Sequence, residues 1–345
     1  MSLPASLGCL FLGRALLGVG VGSADAAPPS GEPQHVEDVA GGGEGGLVFV
    51  DEAPAAVLGP SAAPPRIVPE QWTIPAEVIS AVRAVDHAPV GVRMEAASRS
   101  FLGLPYMNDA EGEGQGADAD PPSRYDAFDC LTFVEQVLSL ALAGDPLQAP
   151  SLRDAFRYRG EPAYDHRRHF MEAEWVPDAI RNGLLTDITA QVGRASHLEK
   201  DVGIDVWRAW RRRALFHLPD ALLPTGRWAL AYLDLDEAER AVPRIPPGAI
   251  LLTLRQPRTW VPIVVTHVST VVPLADGTLR MRHATRMGSR KVRDDRVDWY
   301  VHHLREYTNW PSLGITVLYP REQGPRVSAL PTTLPSKHLP ALVAP

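Results

Sequence analysis

The chain is poor in features that would assign its class at once. It has only two cysteines in 345 residues. No paired Cys-x-x-Cys zinc motif can be written for it. It has no excess of positive charge: the formal net charge is −7. A nucleic-acid partner is therefore not expected, since phosphate binding wants a basic surface. After the first two dozen residues no apolar run is long enough to span a membrane, and no internal repeat is visible. The composition is that of an ordinary globular protein, 45% hydrophobic and 22% charged, which suffices for one large domain or two small ones.

Proline (33) and glycine (28) are abundant but unevenly spread, and the unevenness marks boundaries. Residues 1–26 read as a signal peptide, with an apolar stretch and an Ala24-Asp25-Ala26 cleavage pattern, although Arg14 interrupts the run and a basic start is missing. Residues 27–70 are Pro/Gly/Ala-rich and read as a flexible linker. A folded domain is expected over 71–325 and a loose Pro-rich tail over 326–345. Ile74, Val78, Val82 and Val85 form a helical stripe, and a second helix runs from about Val92 to Leu102. The acidic, Gly-rich stretch 109–124 reads as a solvated surface insertion, or alternatively as a loop at the substrate rim.

The pattern turns helical after Cys130: Leu131, Val134, Leu138, Ala141 and Leu142 keep 3–4 spacing until Gly144, and Asp129 stands where an N-cap would. Helical character recurs at "MEAEWVPDAIRNG" and "VWRAWRRRALF". The Arg/Trp cluster of the latter suits an anionic partner or a solvated helix face. The C-terminal part changes period. "RWALAYLDL", "GAILLTL", "PIVVTHVSTVV", "TLRMRHAT" and "LGITVLYP" are β-branched runs bounded by Pro, Gly and Asp, with a helix expected over "DDRVDWYVHHLREY". Helices followed by an antiparallel sheet make an α+β layout.

With Cys9 in the leader, Cys130 is the lone cysteine of the mature chain. Such a residue is usually a small core hydrophobe. Its place at a helix start favours a thiolate, however, because unpaired N–H groups and the helix dipole stabilise negative charge there. A cysteine nucleophile also needs a base and a group to orient that base. Among the histidines, His267 and His283 lie mid-strand among apolar residues. A three-residue loop Ala275-Asp276-Gly277 would oppose His283 to Ser269 and put both histidines on one face, about 7–8 Å apart on the diagonal. A two-residue loop would put them on opposite faces.

The segments "FDCLTFVE", "THVSTVV" and "MRHAT" resemble the Cys, His and His motifs of NlpC-type, papain-like cell-wall cysteine hydrolases. Within that group the chain is most similar to the N-acetylmuramoyl-L-alanine amidase-like family. "FLGLPYMN", "YRGEPAYDHRRHFMEAEWVPDAIRNGLLTDIT", "IPPGAILLTL", "HATRMGSRKV" and "GITVLYP" follow in the family's order, covering about residues 74–322. The resemblance implies a papain-like fold with the nucleophile helix packed on the sheet. It implies Cys130 as nucleophile, His267 as general base and His283 as its orienting group. Tyr106 becomes an oxyanion or substrate contact. Arg167, Arg168 and His169 become donors to a sugar or carboxylate, and Trp175 a stacking surface. The chain departs from the family in reading "HVST" where "HVGI" is common, and in the length of the 109–124 insertion.

The implied activity is hydrolysis of a peptidoglycan amide through a thioester, without metal or organic cofactor, by an exported monomer in the periplasm or cell envelope. Related enzymes cut either the lactyl–L-alanine amide or the D-glutamyl link of the stem peptide. The resemblance through the middle segment favours the first. An acyltransferase using the same residues, a zinc site on Cys130, His267 and His283, and a wall-binding module without catalysis are the alternatives.

Overall fold

The computed structural model describes residues 72–321; the expected leader, linker and tail lie outside them. Helices lead: α1 (Ala76–Arg83), α2 (Val90–Ser98), α3 (Cys130–Leu142), α4 (Ala149–Arg157) and α5 (Val176–Arg181). The middle of the chain carries β1 (Leu185–Asp187), α6 (Thr189–Val192), β2 (Ser196–Val202), α7 (Ile204–Ala209), β3 (Gly226–Asp234) and α8 (Leu235–Ala241). It closes with β4 (Ile250–Arg255), β5 (Val265–Pro273), β6 (Leu279–Thr285), β7 (Lys291–Arg296), α9 (Val297–His303) and β8 (Ser312–Pro320).

The strands form one eight-stranded sheet in the order β2-β3-β8-β4-β5-β6-β7, with β1 also paired to β8. All pairings are antiparallel. The architecture is thus the expected α+β. Leu252, Leu254, Val268, Val272 and Ala284 share a core with Met94, Phe133 and Val137 of α2 and α3. Leu251, Val271, Met281 and Val317 pack instead with Ala238 of α8 and Val297 and Val301 of α9. With both faces covered, β4 is buried along its whole length, and β5 up to its last residue. That explains the continuous apolar runs in place of clean alternation.

Helix α3 is the central element. Every residue from Cys130 to Ala141 is buried, as expected of a helix apolar nearly all round. It packs on α2, α4, β5 and β6. Each buried Leu, Val or Phe on it contributes roughly 1.5–3 kcal/mol relative to exposure.

Three expectations need correction. The segment 294–307 is not one helix: β7 runs to Arg296 and α9 begins at Val297. The charges of "KVRDDR" suggest a polar helix, but Arg282 of β6 holds Asp294 through two bonds of 2.7 and 2.8 Å and makes a charged strand tenable. Strand β2, whose "SHLEKDV" alternates partly buried and exposed residues, also escaped the apolar pattern. The 109–124 stretch is no solvated excursion. Ala110, Glu111 and Asp118 are buried, and their carboxylates meet arginines of the middle segment: Glu111 takes Arg157 at 2.6 Å, and Asp118 takes Arg167 at 2.8 Å.

Candidate active site

Asp129 and Thr132 set the start of α3. The Asp129 carboxylate accepts from the Leu131 and Thr132 amides at 2.8 Å each, and the Asp129 amide donates to Thr132 Oγ1 at 3.0 Å. This reciprocal cap fixes Cys130 as the first helical residue. Cys130 is buried, at 2% exposure. Tyr106 lies beside this entry: its backbone bridges to Phe128, and the Met107 amide donates to Phe128 O at 2.9 Å. The backbone of Tyr106 is thus tied to the segment that leads into Cys130.

The histidines come from the β5–β6 hairpin. Gly277 adopts φ +82°, Leu274 pairs with Thr278, and the ladder runs Thr270↔Arg282, Val271↔Met281. This is the three-residue loop. His267 Nε2 and His283 Nδ1 stand 2.7 Å apart. Both rings rest near Tyr300 of α9, at centroid distances of 6.1 and 5.8 Å. Tyr300 is itself tied to Thr253 of β4, with 2.8 Å between their hydroxyls.

The local pattern does not reveal the next group. His283 Nε2 lies 3.0 Å from Asp295 Oδ2 on β7, and Arg293 holds the other carboxylate oxygen. Burial opposes ionisation of Asp295, but the bonds from His283 and Arg293 outweigh it and keep its carboxyl below the usual range. Burial also pushes the His283 pKa down to about 4, against the attraction of Asp295. His283 is therefore neutral near pH 7. An ionised carboxylate only accepts, so His283 carries its proton on Nε2. Its Nδ1 is then an acceptor, which His267 Nε2–H satisfies. With Nε2 donating to His283, Nδ1 is the His267 nitrogen left to take a proton, the arrangement a general base requires. The tautomers follow from Asp295 by hydrogen-bond logic. Because both nitrogens of His283 are engaged in this way, the donor set does not suit a zinc ion on Cys130, His267 and His283.

The middle segment behaves differently from expectation. Arg168 donates to Asp178 at 2.7 Å and to the carbonyls of Ala155 and Phe156 at 3.1 and 2.9 Å. His169 Nε2 bonds Tyr164 O at 2.8 Å. Trp175 is fully buried, stacks on Phe156, and donates to Glu135 at 2.9 Å. Arg167 pairs with Glu113 at 2.7 Å and Asp118 at 2.8 Å. None of these is placed to serve as a substrate donor or saccharide platform; they brace the scaffold. The partners of Arg167 and Trp175, Glu113 and Glu135, lie 54 and 40 positions away in sequence, beyond any local pattern.

Among the described residues Asp109, Asp118 and Asp120 bring carboxylate oxygens within 4.8 Å of one another. Burial and repulsion from Asp118 push the Asp109 pKa up to about 7.

Comparison with known proteins agrees with this architecture. Residues 96–307, more than half of the chain, match the AmiA-like family, described as N-acetylmuramoyl-L-alanine amidase-like. A Legionella pneumophila protein of known structure is similar at TM-score 0.61 and 21% identity, over 70% of this chain and 93% of its own. An N-acetylmuramoyl-L-alanine amidase from Bacteroides uniformis is similar at TM-score 0.54 and 22% identity, over 67% and 99%. A candidate xylanase from Bacteroides fragilis is similar at TM-score 0.50 and 22% identity, over 64% and 98%, so likeness at this level shows the fold alone. No curated protein matches the sequence. By its match over residues 96–307, the chain belongs to the AmiA-like, N-acetylmuramoyl-L-alanine amidase-like family.

Proposed function

We infer that the protein hydrolyses the amide between the lactyl group of N-acetylmuramic acid and L-alanine, with Cys130 as nucleophile. The observation that carries this reading is the Asp295–His283–His267 chain, whose two histidines lie on β5 and β6, the strands against which α3, starting at Cys130, packs. The placement within the NlpC-type, papain-like hydrolases belongs to the same proposal. Its support is the order of one cysteine at a helix start followed by two histidines on a hairpin.

The Cys130 sulfur, its proton passed to His267, attacks the lactyl carbonyl carbon and forms the C–S bond. The oxyanion develops beside the first turn of α3, where the Cys130 backbone N–H is the assigned donor and Tyr106 a neighbouring contact. His267, as imidazolium stabilised through His283 and Asp295, returns the proton to the alanine nitrogen as the C–N bond breaks. Water, activated by the same histidine, then cleaves the thioester and releases the lactyl carboxylate and the thiol. The chemistry needs no metal or cofactor. A substrate in the cell wall implies action outside the cytoplasm. Among the described residues no helix is long and apolar enough to cross a membrane.

Digestion of a defined disaccharide-tetrapeptide, with the products weighed, tests the reading. An intact tetrapeptide and a free disaccharide are expected. Release of a peptide starting at the third stem residue would replace the amidase by a D-glutamyl endopeptidase. Capture of the acyl group by added amines would indicate a transferase.

A further inference from the structure

Away from the histidines lies an open groove of about 590 Å³ with an unusual lining. Trp210, Trp310 and Val261 form its apolar part, and Trp260 stands at it with 60% of its surface exposed. Arg211, Arg212 and Arg258 line it as well, and no acidic residue does. The neighbouring Arg208 and Arg213 are paired to Asp220. Arg258 gives one bond, from Nη2 to the Asn309 carbonyl, and lies 5.4 Å from the Trp310 ring and 6.0 Å from the Trp260 ring. In a chain of net charge −7, three arginines lining one groove without a carboxylate make it a local attractor for anions.

The groove is held in shape. Its wall is the loop joining β4 to β5, fixed by Lys200 Nζ to Arg258 O at 2.7 Å and by Trp310 Nε1 to Gln256 O at 2.6 Å. Trp210 is anchored by stacking on Phe216 at 5.8 Å. Trp260 is the large exposed indole beside this wall. Its face presents an apolar, electron-rich surface that fits the C–H face of a sugar ring. The guanidinium forks match carboxylates bidentately. Val261 precedes His267 by six residues, a span of at most about 20 Å even when fully extended.

We propose that this groove is a second binding site, for a saccharide that carries carboxylates: a sugar ring on Trp260 and the acidic groups of an attached stem peptide on Arg211, Arg212 and Arg258. The ligand's identity as peptidoglycan rests on the amidase reading; its class, an acidic glycan, rests on the groove. The site would seat a neighbouring unit of the strand while the scissile amide is held near His267.

The test uses the full chain. Disaccharide-tetrapeptide, the neutral tetramer of N-acetylglucosamine and a thymidine oligonucleotide are titrated into the Cys130→Ala protein, followed by tryptophan fluorescence and calorimetry. The muropeptide should bind more tightly than either of the others, and added salt should weaken it. Trp260→Ala and the pair Arg211→Gln with Arg212→Gln should each raise its Kd by roughly 10-fold. In the enzyme with Cys130 intact, acting on a glycan of two or more disaccharide-peptide units, both changes should lower kcat/KM by a similar factor, carried by KM. Melting temperatures check that each variant is folded. Equal binding of the neutral tetramer, or tighter binding of the oligonucleotide, overturns the proposal. If the enzyme cleaves muropeptide but Trp260→Ala alters neither Kd nor KM, the groove assignment alone falls. If muropeptide binds through Trp260 but is never cleaved, the groove stands and the hydrolase reading falls.

Discussion

Two buried polar networks, one in the helical half and one on the sheet, use similar residues to different ends. In the first, Arg157 is clamped by Glu111 at 2.6 Å and Glu135 at 2.7 Å, and Glu135 also takes the Trp175 indole. Arg159 and Arg168 share Asp178 at 2.7 Å each. Full charges of opposite sign close on one another, and no proton has reason to move. In the second, Asp295, His283 and His267 form a chain in which one carboxylate orders the hydrogen bonds of two imidazoles. Closed charge pairing braces a scaffold; a directional chain with groups near neutrality can pass a proton.

The contrast can be broken at either end. The largest effect is expected at the proposed nucleophile: Cys130→Ala should lower amide hydrolysis by ~10⁴-fold or more without unfolding the chain. His267→Ala should match it, and the double variant should be little worse than either, because the two act as one unit. Steady-state rates with circular dichroism check this. Next comes Asp295→Asn, expected to lower kcat by about 10²–10⁴-fold. An asparagine amide can donate to His283 Nε2, which reverses both tautomers and protonates His267 Nδ1. Asp295→Ala should be milder, since it leaves the tautomers free. Equal rates for the Asn variant and wild type would remove Asp295 from the account.

The scaffold network should answer in stability. Arg157→Ala strands two buried carboxylates and should cost about 3–5 kcal/mol in denaturant unfolding. The fraction that stays folded should keep the wild-type kcat. Arg157→Met, which fills the space but leaves the same carboxylates, should recover little.

The smallest effect is a pH dependence. An unfolded histidine takes a proton near pH 6.5, whereas folded His283 resists until about 4. Between those values the unfolded chain binds more protons, so this group's contribution falls as pH drops from 6.5 to 4, by up to about 3 kcal/mol. Asp109 and Glu172, both pushed up to about 7 chiefly by burial, act oppositely: their contributions are lost as pH rises toward 7. Comparing wild type with His283→Asn cancels those terms. The variant should lose less stability than wild type on acidification. The same variant should retain more activity than His283→Ala, because its amide can accept from His267.

Much of this was legible in the sequence because it is local. The Asp129 cap and the helix after Cys130 follow from residues a few positions apart, and the hairpin was visible too, although the pairing of His267 with His283 turns on the three-residue loop that the structure shows. What was missed depends on which groups, near or far in sequence, the fold turns toward each side chain. Asp295 sits on a strand whose charges look helical until Arg282 is placed opposite Asp294 and Arg293 beside Asp295. Arg168, His169 and Trp175 spell a binding surface until Asp178, Tyr164 and Glu135 arrive to bury them. A run of charge shows that partners are needed, not where they come from.

The central claim is that a cysteine thioester serves this amide, and one measurement reaches it directly. Wild type and Cys130→Ala are each incubated with disaccharide-tetrapeptide, quenched in acid, and both protein and products are weighed. Wild type should release the intact tetrapeptide and, early in the reaction, carry a muramoyl-disaccharide acyl group on Cys130. The variant should do neither. Tetrapeptide release by Cys130→Ala at the wild-type rate would contradict the account.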